Sequence, residues 1–305
     1  MSAPVAEPRS VVITGASRGL GLASAAHLYQ KGWHVIGAMR SPDAGLERIR
    51  AAAGAASDDP RVSAVQLDLN DPESITSAAK AIEELVGAPD ALVHNAGIAA
   101  VGCVEDVEMD VWQQVFTTNL FGPVALTKAL LPSMRAAGRG RIVVISSEGG
   151  VRGMAAISAY SAVKGASERW AEAMSNEIAP FGIGVTVIVT GTFDTDIITD
   201  AGAMDFRSFE GPYEPINSKI DQRGRLAIKI AGPPERFARG LGRALDDTAS
   251  FTRHAIGPDA HLLVLANRLL PGRALQQITR VAMGLPRFGA LLRGNDRRSQ
   301  RSGGR

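Results

Sequence analysis

Tyr160 and Lys164 stand four residues apart in a stretch that runs from Ser146 to Ala179. On a helix that spacing places them on one face, one turn apart. A phenol ordinarily titrates near about 10, and an ammonium held close to it favours the ionised form. The pair is therefore a candidate proton donor and acceptor. The same stretch opens with Ser146-Ser147-Glu148-Gly149. Taken singly, a tyrosine at a helix start is more commonly a packing residue. The elements around them must decide.

Those elements alternate. Short apolar runs at 11–14, 34–38, 62–67, 91–94, 141–145, 184–189 and 251–256 read as strands. Between them, helical patterns cover 20–31, 46–53, 72–86, 110–137, 159–178 and 233–245. Asp71 and Pro72 supply an N-cap and an N1 residue. The long helix 110–137 is expected to break or bend near Gly122-Pro123. Continuous Val/Ile strands alternating with helices imply a parallel sheet covered on both faces, and right-handed crossovers leave a doubly wound α/β arrangement. One domain is expected over 1–292, with a core at 10–192, an insertion at 193–232 and a C-terminal part at 233–292. Residues 293–305, basic and rich in Gly and Ser, read as a disordered tail.

Thr14-Gly15-Ala16-Ser17-Arg18-Gly19-Leu20-Gly21 joins the first strand to the first helix. Glycines there allow a tight turn and let backbone N–H groups approach a pyrophosphate at a helix N-terminus. The spacing is not Gly-x-Gly-x-x-Gly, but the strand–turn–helix context is the one that motif requires. At the end of the second strand a carboxylate would suit a ribose 2′-OH, and an arginine a 2′-phosphate. The chain has Arg40 there, no carboxylate until Asp43, and a second arginine, Arg18, in the glycine turn. NADP(H) is the expected cofactor, with NAD(H) possible.

Composition narrows the field. A net charge of +2 argues against a nucleic-acid binder. One cysteine, Cys103, excludes an internal disulfide and a cysteine-cluster metal site, and no metal is expected. The first ten residues lack the apolar core of a secretory signal, and no apolar run reaches the roughly 20 residues of a spanning helix. A soluble, cytoplasmic protein is expected. His94 reads as packing and Cys103 as an inert thiol.

The ordered set Thr14-Gly-x-x-x-Gly19-x-Gly21, Asn95-Ala96-Gly97, Asn119, Ser147 and Tyr160-x-x-x-Lys164 closely resembles the short-chain dehydrogenase/reductase family over residues 10–200. The resemblance implies a Rossmann-like, mostly parallel seven-stranded sheet. It implies that Tyr160 exchanges a proton with the substrate oxygen and that Lys164 serves both the tyrosine and the nicotinamide ribose. Ser147 would donate to the substrate oxygen, and Asn119 would hold a water that links Lys164 to solvent. Gly15, Ser17, Arg18, Gly19, Leu20 and Gly21 would face the cofactor, with Arg40, the adenine pair Asp68 and Leu69, the Asn95–Gly97 turn, Thr192 and Thr195. One departure stands out: where the family usually has Pro-Gly after the sixth strand, this chain has Thr190-Gly191.

Phe193, Ile197, Ile198, Met204, Phe206, Phe209 and Tyr213 crowd into the insertion, as a lid over a lipophilic substrate would require. The C-terminal region resembles that of relatives acting on steroids, retinoids and other hydrophobic alcohols. Its apolar stripe, 262–270, more often covers a core or a subunit interface, and membrane-surface contact is the lesser expectation. By family habit the two long helices would pair subunits into a homodimer or homotetramer. An NADP-dependent dehydrogenase or reductase for a bulky secondary alcohol, ketone or aldehyde is the leading expectation. A 3-oxoacyl thioester reductase and a non-catalytic NADP-binding regulator are the alternatives.

Overall fold

A computed structural model describes residues 8–194 and 203–292. In chain order the elements are β1 (Ser10–Thr14), α1 (Gly19–Gln30), β2 (His34–Met39), α2 (Pro42–Ala53), β3 (Val62–Gln66), α3 (Pro72–Val86) and β4 (Ala91–His94). They continue with β5 (Ala99–Val101), α4 (Met109–Phe116), α5 (Gly122–Ala137), β6 (Gly140–Ser147), α6 (Glu148–Val151), α7 (Ser158–Ile178) and β7 (Ile183–Thr190). Last come β8 (Ala203–Asp205), α8 (Glu214–Lys229), α9 (Pro234–Leu245), β9 (Phe251–Ile256), α10 (Pro258–Leu269) and α11 (Gly272–Ala282).

Seven strands form one sheet in the order β3-β2-β1-β4-β6-β7-β9, and every pairing in it is parallel. Both faces are covered, so the central strands are mostly apolar, and all eight residues of β7 are buried. Alternate residues divide between two cores. Val12, Ile36, Leu92, Ile142 and Val185 pack with Ile82 of α3, Leu130 of α5 and Ala171 of α7. Val11, Ile13, Val35, Val93 and Val143 pack with Leu28 of α1, Ile49 of α2 and Phe237 of α9. The chain winds outward from β1 in one direction and resumes at β4 in the other. This leaves a crevice beyond the carboxyl ends of β1 and β4, where doubly wound sheets bind ligands.

The expected bend in the long helix takes a different form. One π-helical turn, Thr117–Phe121, lies just before Gly122-Pro123 and joins α4 to α5. Pro123 has no N–H to give the preceding turn, and a wider turn absorbs the mismatch. Gly122 is needed for a second reason. A Cβ there would lie 2.4 Å from the Leu69 carbonyl oxygen and 2.7 Å from the Leu69 Cβ. The helix thus presses directly on the turn after β3.

Other boundaries differ as well. Helix α2 begins at Pro42, a good N1 residue, rather than at Leu46. The insertion is not all loop: it contributes β8, paired in parallel with β5, and the helix α8. Phe193 belongs to the core rather than to a lid, 2% exposed and edge-on to Phe237 at 5.8 Å. His94 is buried packing, its Nε2 2.8 Å from the Thr127 hydroxyl, and burial holds it neutral with a pKa of about 3. Cys103 is buried against Asn217 of α8 at 3.5 Å, and burial pushes its thiol up.

Because backbone rather than a flexible side chain meets a Gly122→Ala methyl, this substitution is expected to cost about 1–3 kcal/mol. Urea denaturation measures it, and an unchanged midpoint would contradict the close approach.

Candidate active site

Strand β1 delivers Thr14 to the bottom of the crevice, and its hydroxyl organises the glycine turn. Thr14 Oγ1 donates to the Val93 carbonyl and accepts the N–H groups of Asn95 and Ala96, both at 3.0 Å. Asn95 returns its side-chain amide to the Thr14 and Gly15 carbonyls at 2.9 and 3.3 Å. Asn95 therefore locks the turn. Gly15 and Gly19 have φ of 68° and 54°, a left-handed conformation that favours glycine. A Cβ on Gly21 would sit 2.3 Å from the Gly15 carbonyl oxygen, so the third glycine brings α1 against the turn.

The crevice is lined by Gly15, Ser17, Arg18, Gly19 and Leu20 from the turn, by Arg40 after β2, and by Asp68, Leu69 and Asn70 after β3. Asn95, Ala96 and Gly97 line it after β4, and Asn119, Ser146, Tyr160, Lys164 and Thr190 close its far end. The structure thus gathers the expected cofactor residues from four loops and the face of α7. Gly21 supports the turn from behind. Thr192 is not in the lining; its N–H donates to Asp259 at 2.6 Å. Thr195 lies outside the described residues.

Helix α7 carries the reactive face. Lys164 is 6% exposed, and its ammonium donates to the Ile145 carbonyl of β6 at 2.8 Å. Burial lowers its pKa to about 8, against the opposing pull of Glu168 one turn on. The Tyr160 hydroxyl is hydrogen-bonded to Ser147, which favours the phenolate, but burial is the larger influence and raises its pKa. The expected lowering by Lys164 is thus not what sets the phenol in this chain. The ammonium, 5.6 Å from the ring centre, is turned towards Ile145. Just before α7, Ala156 adopts φ 61° and gives its carbonyl to the Gly102 N–H at 2.7 Å. Such a conformation in a non-glycine residue stores strain beside the site.

Asn119 sits in the π-helical turn. Its amide nitrogen donates to the Ile98 and Val115 carbonyls at 3.0 and 2.8 Å, while its Oδ1 is buried with no partner among the described residues.

Spacing alone passed over Glu168. Its two carboxylate oxygens accept the Ser146 hydroxyl and the Arg253 guanidinium, both at 2.7 Å. The signal was available, since Tyr160, Lys164 and Glu168 recur every four residues on one face. Thr190, standing where the family has proline, donates its hydroxyl to the Ser146 carbonyl at 3.0 Å. The departure thus ties β7 to the residue before Ser147. Glu148, next after Ser147, is pushed up to about 7 by burial, with the Asp259 charge adding to it.

These residues fit a dinucleotide. The first turn of α1 has neither a side-chain cap nor an acidic residue, so its N–H groups suit an anion. The orphaned Asn119 Oδ1 and the close-packed glycines mark a cradle that added side chains would fill.

Comparison with known proteins agrees. The short chain dehydrogenase family model matches residues 9–205. The uncharacterized oxidoreductase YusZ of Bacillus subtilis (strain 168) is 33% identical over 275 residues, covering 88% of this chain and 95% of that protein. Dehydrogenase/reductase SDR family member 7B of Xenopus tropicalis is 39% identical over 242 residues, covering 73% of this chain and 77% of its own. The crystal structure of a short-chain dehydrogenase from Streptomyces avermitilis superposes with a TM-score of 0.77 at 33% identity, over 93% of this chain and all of that one. With a seven-stranded parallel sheet, a glycine turn at its switch point and a matching family model, the chain belongs to the short-chain dehydrogenase/reductase family of NAD(P)-dependent oxidoreductases.

Proposed function

We propose that this oxidoreductase uses NADP(H) and acts on a bulky, lipophilic secondary alcohol or its ketone, or on an aldehyde. The observation that carries the reading is the polar face of α7, where Tyr160 meets Ser147 and the buried Lys164 lies one turn away at the end of a dinucleotide-shaped crevice.

When bound, the nicotinamide supplies or accepts the hydride. Tyr160 gives its hydroxyl proton to the substrate oxygen in reduction and takes it back in oxidation. Ser147 orients that oxygen and stabilises the charge that develops on it. Lys164 holds a positive charge beside the phenol and offers its ammonium to the cofactor ribose. Asn119, through its place in the π-helical turn, keeps Lys164 in touch with solvent protons. Lipophilic specificity is supported by Met204 and Phe206, only partly buried against the apolar cluster that includes Val163 of α7 and Val115 of α4. Pairing of subunits through the long helices is supported by the exposure of Met109 and Phe121.

Tyr160→Phe is expected to lower turnover at least about a hundredfold while NADPH binding survives. Steady-state kinetics against ketones of graded size, beside a fluorescence titration with NADPH, measure both, and undiminished turnover would contradict the role.

NADP(H) preference is supported by Arg18 and Arg40, both exposed and both lining the crevice near the end of β2. An arginine there pairs with a 2′-phosphate through charge-assisted hydrogen bonds. Arg40→Ala is expected to weaken NADPH about tenfold, as the loss of one such bond does, and to leave NADH unchanged. Tenfold tighter binding of NADH to the unaltered enzyme would overturn the preference.

A further inference from the structure

Thirty of the 31 acidic residues precede position 260, so charge is segregated along a chain whose net value is only +2. Residues 260–292 hold Arg268, Arg273, Arg280 and Arg287 and no acidic residue, and the sequence beyond adds five arginines against Asp296 alone. The same segment forms α10 and α11, and both helices turn apolar side chains outward. Leu262, Leu265 and Leu269 are 69%, 52% and 68% exposed. Their spacing of three and four residues puts them on one face of α10. On α11, Ile278 and Val281 are 52% and 62% exposed, and beyond it Phe288 is fully exposed. The core is served from the other side, by Ala260 and Leu275. Among the described residues these leucines therefore cover no core of their own chain, which leaves a subunit interface or a membrane surface as their covering.

An occupant must accept leucine and isoleucine side chains and balance arginines that have no acidic neighbours in the segment. A second copy joined about a two-fold axis would bring this surface against itself, arginine against arginine. Nucleic acid would balance the charge and leave the leucines in water. An anionic lipid surface satisfies both requirements, because the apolar side chains enter the acyl boundary while guanidinium groups remain among the headgroups. Helix α10, with 12 residues, is about 18 Å long. That is too short to cross a bilayer, and no helix among the described residues is long and apolar enough to do so. Lying on the surface is the geometry left. Arg152 of the segment after α6 donates to the Gly272 carbonyl at 2.9 Å, so the base of α11 is fastened close to the Ser147 end of the crevice.

We propose that α10 and α11 dock the enzyme on the surface of an anionic membrane, with Leu262, Leu265 and Leu269 inserted and the arginines at headgroup level. The site opening then lies near the bilayer. The proposal stands independently of which alcohol or ketone is processed.

Sedimentation of the full chain with lipid vesicles tests it. Binding is expected to phosphatidylcholine vesicles that contain phosphatidylserine, to be much weaker with phosphatidylcholine alone, and to fall as salt rises. Each arginine near an anionic surface is worth about fivefold in affinity, so Arg268→Ala/Arg273→Ala should lose about 25-fold. Leu262→Ser/Leu269→Ser should abolish sedimentation while leaving circular dichroism and NADPH binding intact, since both side chains are exposed. Protein that stays in the supernatant at both lipid compositions, or binds both equally, would overturn the proposal. So would a dimer, seen by analytical ultracentrifugation, that the leucine variant dissociates, because a second copy would then be the occupant.

Discussion

A buried ammonium and a buried carboxylate, Lys164 and Glu168, sit one turn apart on the face of α7 that meets β6. Neither can be enclosed without partners, because an unpaired charge removed from water costs several kcal/mol. Lys164 finds the Ile145 carbonyl, and Glu168 finds the Ser146 hydroxyl and Arg253. These bonds reach consecutive residues at the end of β6 and cross to β9. They fix the rotation of α7 about its axis and the height at which β6 ends. Tyr160 and Ser147 meet because their neighbours in sequence are held in this way. The meeting of Tyr160 with Ser147 thus rests on a charge network one turn deeper.

The rest of the fold serves the same end. Parallel strands terminate together at the switch point between β1 and β4, so four loops and the face of α7 meet at one crevice. Backbone must come close to backbone there, which explains Gly21 against Gly15 and Gly122 against Leu69. Thr190 extends the support from β7, where its hydroxyl donates to the Ser146 carbonyl. Ser146 is thereby held at both its hydroxyl and its carbonyl.

Much of this was legible in the sequence, and the reasons are physical. The central strands were visible because strands buried on both faces are written as largely apolar runs, and the edge strands β3 and β9, less covered, kept enough of that pattern to be placed. The crevice residues were visible because a nucleotide turn needs glycines and a proton donor needs a tyrosine beside a charge. Strands β5 and β8 were not, since three residues carry no period. Helix α8 was hidden by the Gly, Pro and Asp around it. Phe193 read as lid because its loop looked open, and only the fold shows Phe237 waiting for it. The pKa of Tyr160 went the other way from expectation because spacing reveals a neighbouring charge but not the depth of burial. The partner of the Thr192 N–H, Asp259, lies 67 residues away and could not be read from the loop itself.

The central proposal is that the buried Lys164 ammonium holds the cofactor. In the cofactor-free chain Lys164 titrates at about 8, charged below that value and neutral above it. A cofactor that accepts a hydrogen bond from the ammonium must favour the charged form, so its binding raises this pKa. NADPH affinity, followed by fluorescence from pH 7 to pH 10, should therefore be level below about 8 and decline above it. In Lys164→Met the affinity should be weaker and the decline absent. A decline of the same size in that variant, or an affinity that rises through pH 8, would contradict the account.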